Sequence, residues 1–108
     1  MVLKVGNHLF DGPYESFSEL QDRPGVYVIV CYQSPFYFPI DCGESTKIRE
    51  SVTGHPGASS WKSNCKTGTL MVGALYTSEG LQIEKELRSS IFFPCRSEET
   101  PPSSAFRV

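Results

Sequence analysis

Four cations and one indole are the side chains whose types suggest a ligand most directly. Lys47, Arg49, Lys62 and Lys66 flank Trp61. Lysine and arginine neutralise phosphates and an indole offers a face on which bases stack, so this set reads as a nucleic-acid patch. Glu44 and Glu50 lie among the same cations. A solvated helix face, with Trp61 turned inward for packing, is the plainer reading. The common catalytic and cofactor signatures are absent: no phosphate-cradling glycine loop, no Gly-x-Ser-x-Gly elbow and no His-Glu-x-x-His pair occurs. His8 and His55 have no metal-like spacing, and Cys31, Cys42, Cys65 and Cys95 contain no Cys-x-x-Cys, which argues against structural zinc. What remains is one scattered constellation. It consists of Gly25-Val26-Tyr27, Asp41-Cys42-Gly43, a helix carrying Arg49 and Ser51, then His55, and last Glu84.

The elements that must position these residues follow from the hydrophobic pattern. Residues 2–10 alternate loosely around Gly6-Asn7 and suggest two short strands about a turn. Ser16-Phe17-Ser18-Glu19 has capping-box spacing and starts a short helix. Residues 26–32 are all apolar or aromatic, mostly β-branched or aromatic, which predicts a strand covered on both faces. A second strand spans 36–43. Pro39 cannot donate to a ladder, so this strand is interrupted or at an edge there. A helix from Ser45 or Thr46 to Gly54 buries Ile48 and Val52, and a short helix follows over 59–65. Thr69–Thr77 is a third strong strand, with a bulge or close approach at Gly73. A helix capped by Ser78 runs to Ser90 and lines up Ile83, Leu87 and Ile91. The expected fold is α/β in the broad α+β sense. It is a small three-stranded sheet, antiparallel where a short loop joins its first two strands, flanked by helices. The expected organisation is an N-terminal extension over 1–23, a core domain over 24–96 and a tail over 97–108 rich in Pro, Ser and charge.

Set in that order, the motifs resemble the GIY-YIG nuclease superfamily, and its small bacterial stand-alone members above all. Gly25-Val26-Tyr27 stands on the first core strand and Gly43-Glu44-Ser45 after the second. His55 follows the helix, Ile83-Glu84-Lys85-Glu86-Leu87 lies on the late helix, and Phe93-Pro94-Cys95 comes after it. The resemblance implies one-metal phosphodiester hydrolysis of DNA, with Mg2+ or Mn2+ as the cofactor. By that likeness Tyr27 helps activate the water, Glu84 holds the cation, and His55 stands where the family often has its histidine. Two positions depart from the pattern. Asp41 replaces the tyrosine of the second motif, and Ser51 stands at the family's arginine. Arg49 lies two residues earlier, about 200° round a helix, on the wrong face. Lys47 shares the face of Ser51 and reaches toward phosphate only as a point charge. Asp41, a second carboxylate, suits the shell of a hard cation. These departures point to a nuclease-like domain with reduced or lost activity, or to a catalytically inactive nucleic-acid- or protein-binding module on the same scaffold. Glu84 stands four residues before Arg88, and a weak surface ion pair is its simpler reading.

Length and charge set the outer limits. A chain of 108 residues fits one domain. Ten basic residues against twelve acidic give a net charge of −2, so any DNA binding must rest on a local patch. No apolar run is long enough to span a membrane, which predicts no membrane partner. The first residues carry no export-type apolar stretch, so the expectation is a cytoplasmic chain with four reduced thiols.

Overall fold

A computed structural model describes residues 2–95. Arg96 and the tail over 97–108 lie outside the described residues. Five strands form one sheet: β1 (Val2–Val5), β2 (His8–Tyr14), β3 (Gly25–Gln33), β4 (Phe36–Ser45) and β5 (Thr69–Tyr76). Their order across the sheet is β1-β2-β5-β3-β4, and every neighbouring pair is antiparallel. Three helices complete the architecture: α1 (Ile48–Thr53), α2 (Ala58–Ser63) and α3 (Gly80–Ser90). A single 3-10 turn over Phe17–Glu19 is capped by Ser16, whose Oγ accepts from the Ser18 N–H.

β3 is the centre of the molecule, and its period of two explains both halves of the core. Tyr27, Ile29 and Cys31 point to one face, where Ile48 and Val52 of α1 and Trp61 of α2 cover them. Val26, Val28 and Val30 point to the other, where Leu87 of α3, Phe10 of β2 and Phe93 complete a second cluster. A strand clothed on both faces needs no polar alternation, which is why its sequence is uniformly apolar.

The expected three-stranded sheet is corrected to five strands. The three expected strands are present as β3, β4 and β5, but the 1–23 segment is not an appendage to them. β2 pairs with β5, opposing Asp11 to Ala74 and Tyr14 to Val72, and Phe10 is fully buried. Gly73 makes the predicted close approach: a Cβ there would meet Phe10 Cβ and Val28 Cγ1, each at 3.3 Å. The expectation of four reduced thiols is corrected too. Cys31 of β3 is bridged to Cys65 just past α2, while Cys42 and Cys95 are free. A disulfide is uncommon in a reducing compartment, which weighs against the expected cytoplasmic placement. Among the described residues, no helix is long and apolar enough to cross a membrane.

β4 is an edge strand, and it is also interrupted where Pro39 lies. Ile29 opposes Asp41 while Val30 opposes Pro39, so Ile40 is the extra residue of a bulge. Two groups use the outer edge here. The Cys95 N–H donates to the Ile40 carbonyl at 2.9 Å, and the Arg88 guanidinium donates to the Cys42 carbonyl. Two carbonyls of this edge that would otherwise be unpaired are thereby satisfied.

Candidate functional site

The site lies at that edge. β3 brings Tyr27 and β4 brings Asp41 on the same face, because Tyr27 opposes Gly43 and Ile29 opposes Asp41 in the register. Gly43 is required by this packing. A Cβ at that position would run into the ring and hydroxyl of Tyr27. The break after α1 supplies His55, and α2 supplies Trp61. From the opposite face of the sheet, α3 sends Glu84 and Arg88 to the edge of β4. Its N-terminus can approach because Gly80 has no side chain: a Cβ there would lie 2.9 Å from the Gly25 carbonyl oxygen. These side chains line one cleft of about 620 Å³, together with Glu44, Asn64 and Cys95.

The cleft is organised by its carboxylates. Asp41 is 5% exposed, the one buried charged residue among the core positions described. Its Oδ2 accepts from Trp61 Nε1 at 2.8 Å, and its Oδ1 accepts from the Cys42 N–H at 2.8 Å and from Arg88 Nη2 at 3.1 Å. Arg88 Nε donates to Glu84 Oε2 at 3.0 Å. The Glu84–Arg88 pair therefore forms, but it is not the weak surface pair that helical spacing suggests. Both side chains are about four-fifths buried, at 18% and 20% exposed. Burial opposes the charge on Arg88, yet its thiol and carboxylate neighbours, Cys42, Glu84 and Asp41, hold its pKa above the ordinary value. Its Cζ also lies 5.8 Å from the centroid of the Phe93 ring.

The aromatic wall is stacked rather than open. His55 and Trp61 lie 4.6 Å apart at 33°, and Tyr27 meets His55 edge-on at 6.2 Å. His55 Nδ1 accepts from the Gly57 N–H at 2.8 Å, which leaves Nε2 as the donor of the neutral ring. Burial pushes the Tyr27 phenol well above its usual pKa, and the nearby Asp41 and Glu84 charges push the same way. Tyr27 thus keeps its proton in this cleft and is a poor phenolate base. Burial pushes the Cys42 thiol up to about 12, with Arg88 pulling against it. The Cys95 thiol is raised by burial and by Asp41, while Asn64 Nδ2, at 3.3 Å, opposes the rise. Neither thiol is an activated nucleophile.

The sequence-predicted residues divide sharply. Tyr27, Asp41, His55 and Glu84 meet around the cleft. Ser51 is not among its lining residues: its Oγ shares a 2.6 Å hydrogen bond with Ser45 Oγ. Lys47 is exposed and lies 3.9 Å from Glu50 Oε1. Arg49 lines a separate groove with Glu15, Phe17 and Thr53. Lys62 and Lys66 are exposed, but the expected stacking platform beside them is corrected. Trp61 is fully buried, with its indole N–H turned onto Asp41, so no base can stack on it. Arg88, which the sequence suggests only as a surface partner of Glu84, is a cleft residue. The i, i+4 spacing places it on one helix face with Glu84, but nothing local shows that this face meets Asp41.

A divalent cation at this cleft would be held by Glu84, with Asp41 as the second oxygen donor. As folded, both carboxylates serve a guanidinium instead. Asp41 already receives three N–H donors, and among the described residues no group of three His, Cys, Asp or Glu side chains is spaced to hold a metal. The residues in this arrangement do not fit the metal that the family resemblance implies.

Fold and cleft together define an antiparallel α+β domain with a carboxylate–guanidinium site at the edge of its sheet. No family model, curated protein or solved structure matches the chain.

Proposed function

We propose that the chain is a diverged GIY-YIG-like domain, derived from metal-dependent DNA nucleases, whose phosphodiester hydrolysis is lost and whose present role is binding. One observation carries the kinship. Tyr27, His55 and Glu84 come from three separate elements and line a single cleft, on a sheet in which the motif-bearing hairpin pairs next to a third strand. That meeting supports the resemblance, although Ser51, at the family's arginine position, lies outside the cleft.

Loss of hydrolysis follows from the electrostatics of the same cleft. Charge that develops on phosphate oxygens must be met by a fixed donor or cation. The family's arginine position is Ser51, which points into a hydrogen bond with Ser45. Arg88 does reach the cleft, but its Nε and Nη2 serve Glu84, Asp41 and the Cys42 carbonyl. Asp41 and Glu84 carry two negative charges against the one on Arg88, so a phosphate meets net repulsion there. DNA is the partner to test first, and its contacts would fall on exposed cations such as Lys62 and Lys66 rather than in the cleft.

Plasmid nicking in Mg2+ and in Mn2+ tests the assignment, with Glu84→Ala as the control for contaminating nuclease. The expected result is identical, background-level nicking by both proteins. Nicking by the wild type that Glu84→Ala abolishes would restore catalysis to the domain. A mobility-shift titration with single- and double-stranded DNA then asks whether binding outlived the chemistry.

A further inference from the structure

The oxygens at the edge of β4 are arranged around a cation that belongs to the chain itself. Asp41 Oδ1 lies 3.1 Å from Arg88 Nη2 and Glu84 Oε2 lies 3.0 Å from Arg88 Nε. The Cys42 carbonyl accepts from the same Nη2. Two of these oxygens come from β4 and one from α3, so the guanidinium also ties the edge strand to the helix packed behind it. All three are hard donors, the kind that divalent cations take. The fit is tight at the carboxylate end. Besides Arg88, Asp41 accepts from the Cys42 N–H at Oδ1 and from the Trp61 indole at Oδ2.

We infer that Arg88 is a built-in cation: it fills an oxygen set formed by Asp41, Glu84 and the Cys42 carbonyl, and so holds a latent divalent-metal site shut. A guanidinium does not deprotonate in a protein, so no rise in pH vacates the set. A metal ion entering beside Arg88 would meet a like charge and would have to break its hydrogen bonds to both carboxylates. With the guanidinium gone, two enclosed carboxylates and a carbonyl share no positive charge, and a divalent cation is the group that best satisfies them. The inference stands on this geometry alone and does not depend on the nuclease kinship.

The test is Mn2+ binding by the full chain, followed by calorimetry and by thermal melts with and without the metal. Three variants accompany the wild type. Arg88→Gln removes the charge and keeps an amide donor, Arg88→Lys keeps the charge, and Arg88→Gln is combined with Glu84→Gln. Arg88→Gln is expected to melt lower in metal-free buffer, to bind Mn2+ about tenfold tighter than the wild type or more, and to recover its melting temperature as Mn2+ rises. The wild type and Arg88→Lys are expected to show no such response, and adding Glu84→Gln is expected to erase the gain. Should Arg88→Gln be unfolded without metal, far-UV circular dichroism reads the same titration, and refolding driven by Mn2+ sustains the inference. Equal Mn2+ affinity in the wild type and Arg88→Gln overturns it, as does a gain that survives Glu84→Gln, a response in Arg88→Lys, or an unfolded Arg88→Gln that Mn2+ leaves unfolded.

Discussion

A carboxylate as enclosed as Asp41 persists because both of its oxygens meet N–H groups. Removing one donor while keeping the volume isolates that effect. Trp61→Phe retains a large ring and loses the 2.8 Å bond from Nε1, so the variant is expected to be less stable by about 1–3 kcal/mol, read from its urea midpoint. A midpoint equal to the wild type's would mean that the indole contributes only packing. The Cys42 thiol offers a pH-dependent counterpart. Burial raises its folded pKa to about 12, above the ordinary thiol value of 9.0, so the folded state binds the proton more tightly than the unfolded chain does. The stability this confers is present in full below pH 9 and is lost as pH rises toward 12. Chemical denaturation of Cys42→Ala across that window is therefore expected to give a flatter decline than the wild type. Parallel curves for the two proteins would remove Cys42 as the cause.

At the scale of elements, local pattern and tertiary demand agree for most of the chain. α3 is amphipathic as its spacing predicts, burying Leu87 and packing Ile83 and Ile91 against the second cluster. α1 buries Ile48 and Val52. β4 is both interrupted and at an edge, as one proline made legible. What spacing could not show is how α2 is held. The bridge from Cys31 to Cys65 closes a sequence separation of 34 and fastens the short Ala58–Ser63 helix against the centre of the sheet. Cysteine spacing alone leaves four thiols with several pairings or none, because pairing depends on which strand faces which helix. Closing a loop of this size restricts the unfolded chain by about 4 kcal/mol in the chain-entropy picture. Cys31→Ala with Cys65→Ala is expected to lower stability by roughly that amount, and the wild type in reductant should behave like the double variant. Melting curves that do not move under reduction would show that the crosslink has little part in holding α2.

For the whole molecule, the two N-terminal strands decide whether the core is closed. Phe10 is fully buried beside Val28 and Gly73, although it lies outside the segment that carries the motifs. Phe10→Ala is expected to cost about 3–5 kcal/mol, measured by equilibrium unfolding. A cost below 1 kcal/mol, roughly that of a surface change, would mean that the N-terminal strands are an appendage after all. The sequence by itself determined the elements: the doubly covered strand, the edge with its proline, three helical segments and the order of the motif residues. It could do so because hydrophobic periodicity and capping act over a few neighbouring residues. The tertiary structure alone decided that the sheet has five strands, that Cys31 meets Cys65, and that the indole of Trp61 and the guanidinium of Arg88 converge on Asp41. The side-chain meetings among these join residues 20 to 47 positions apart, and their partners are selected by strand order and by which faces pack together. No local pattern along the chain encodes that choice.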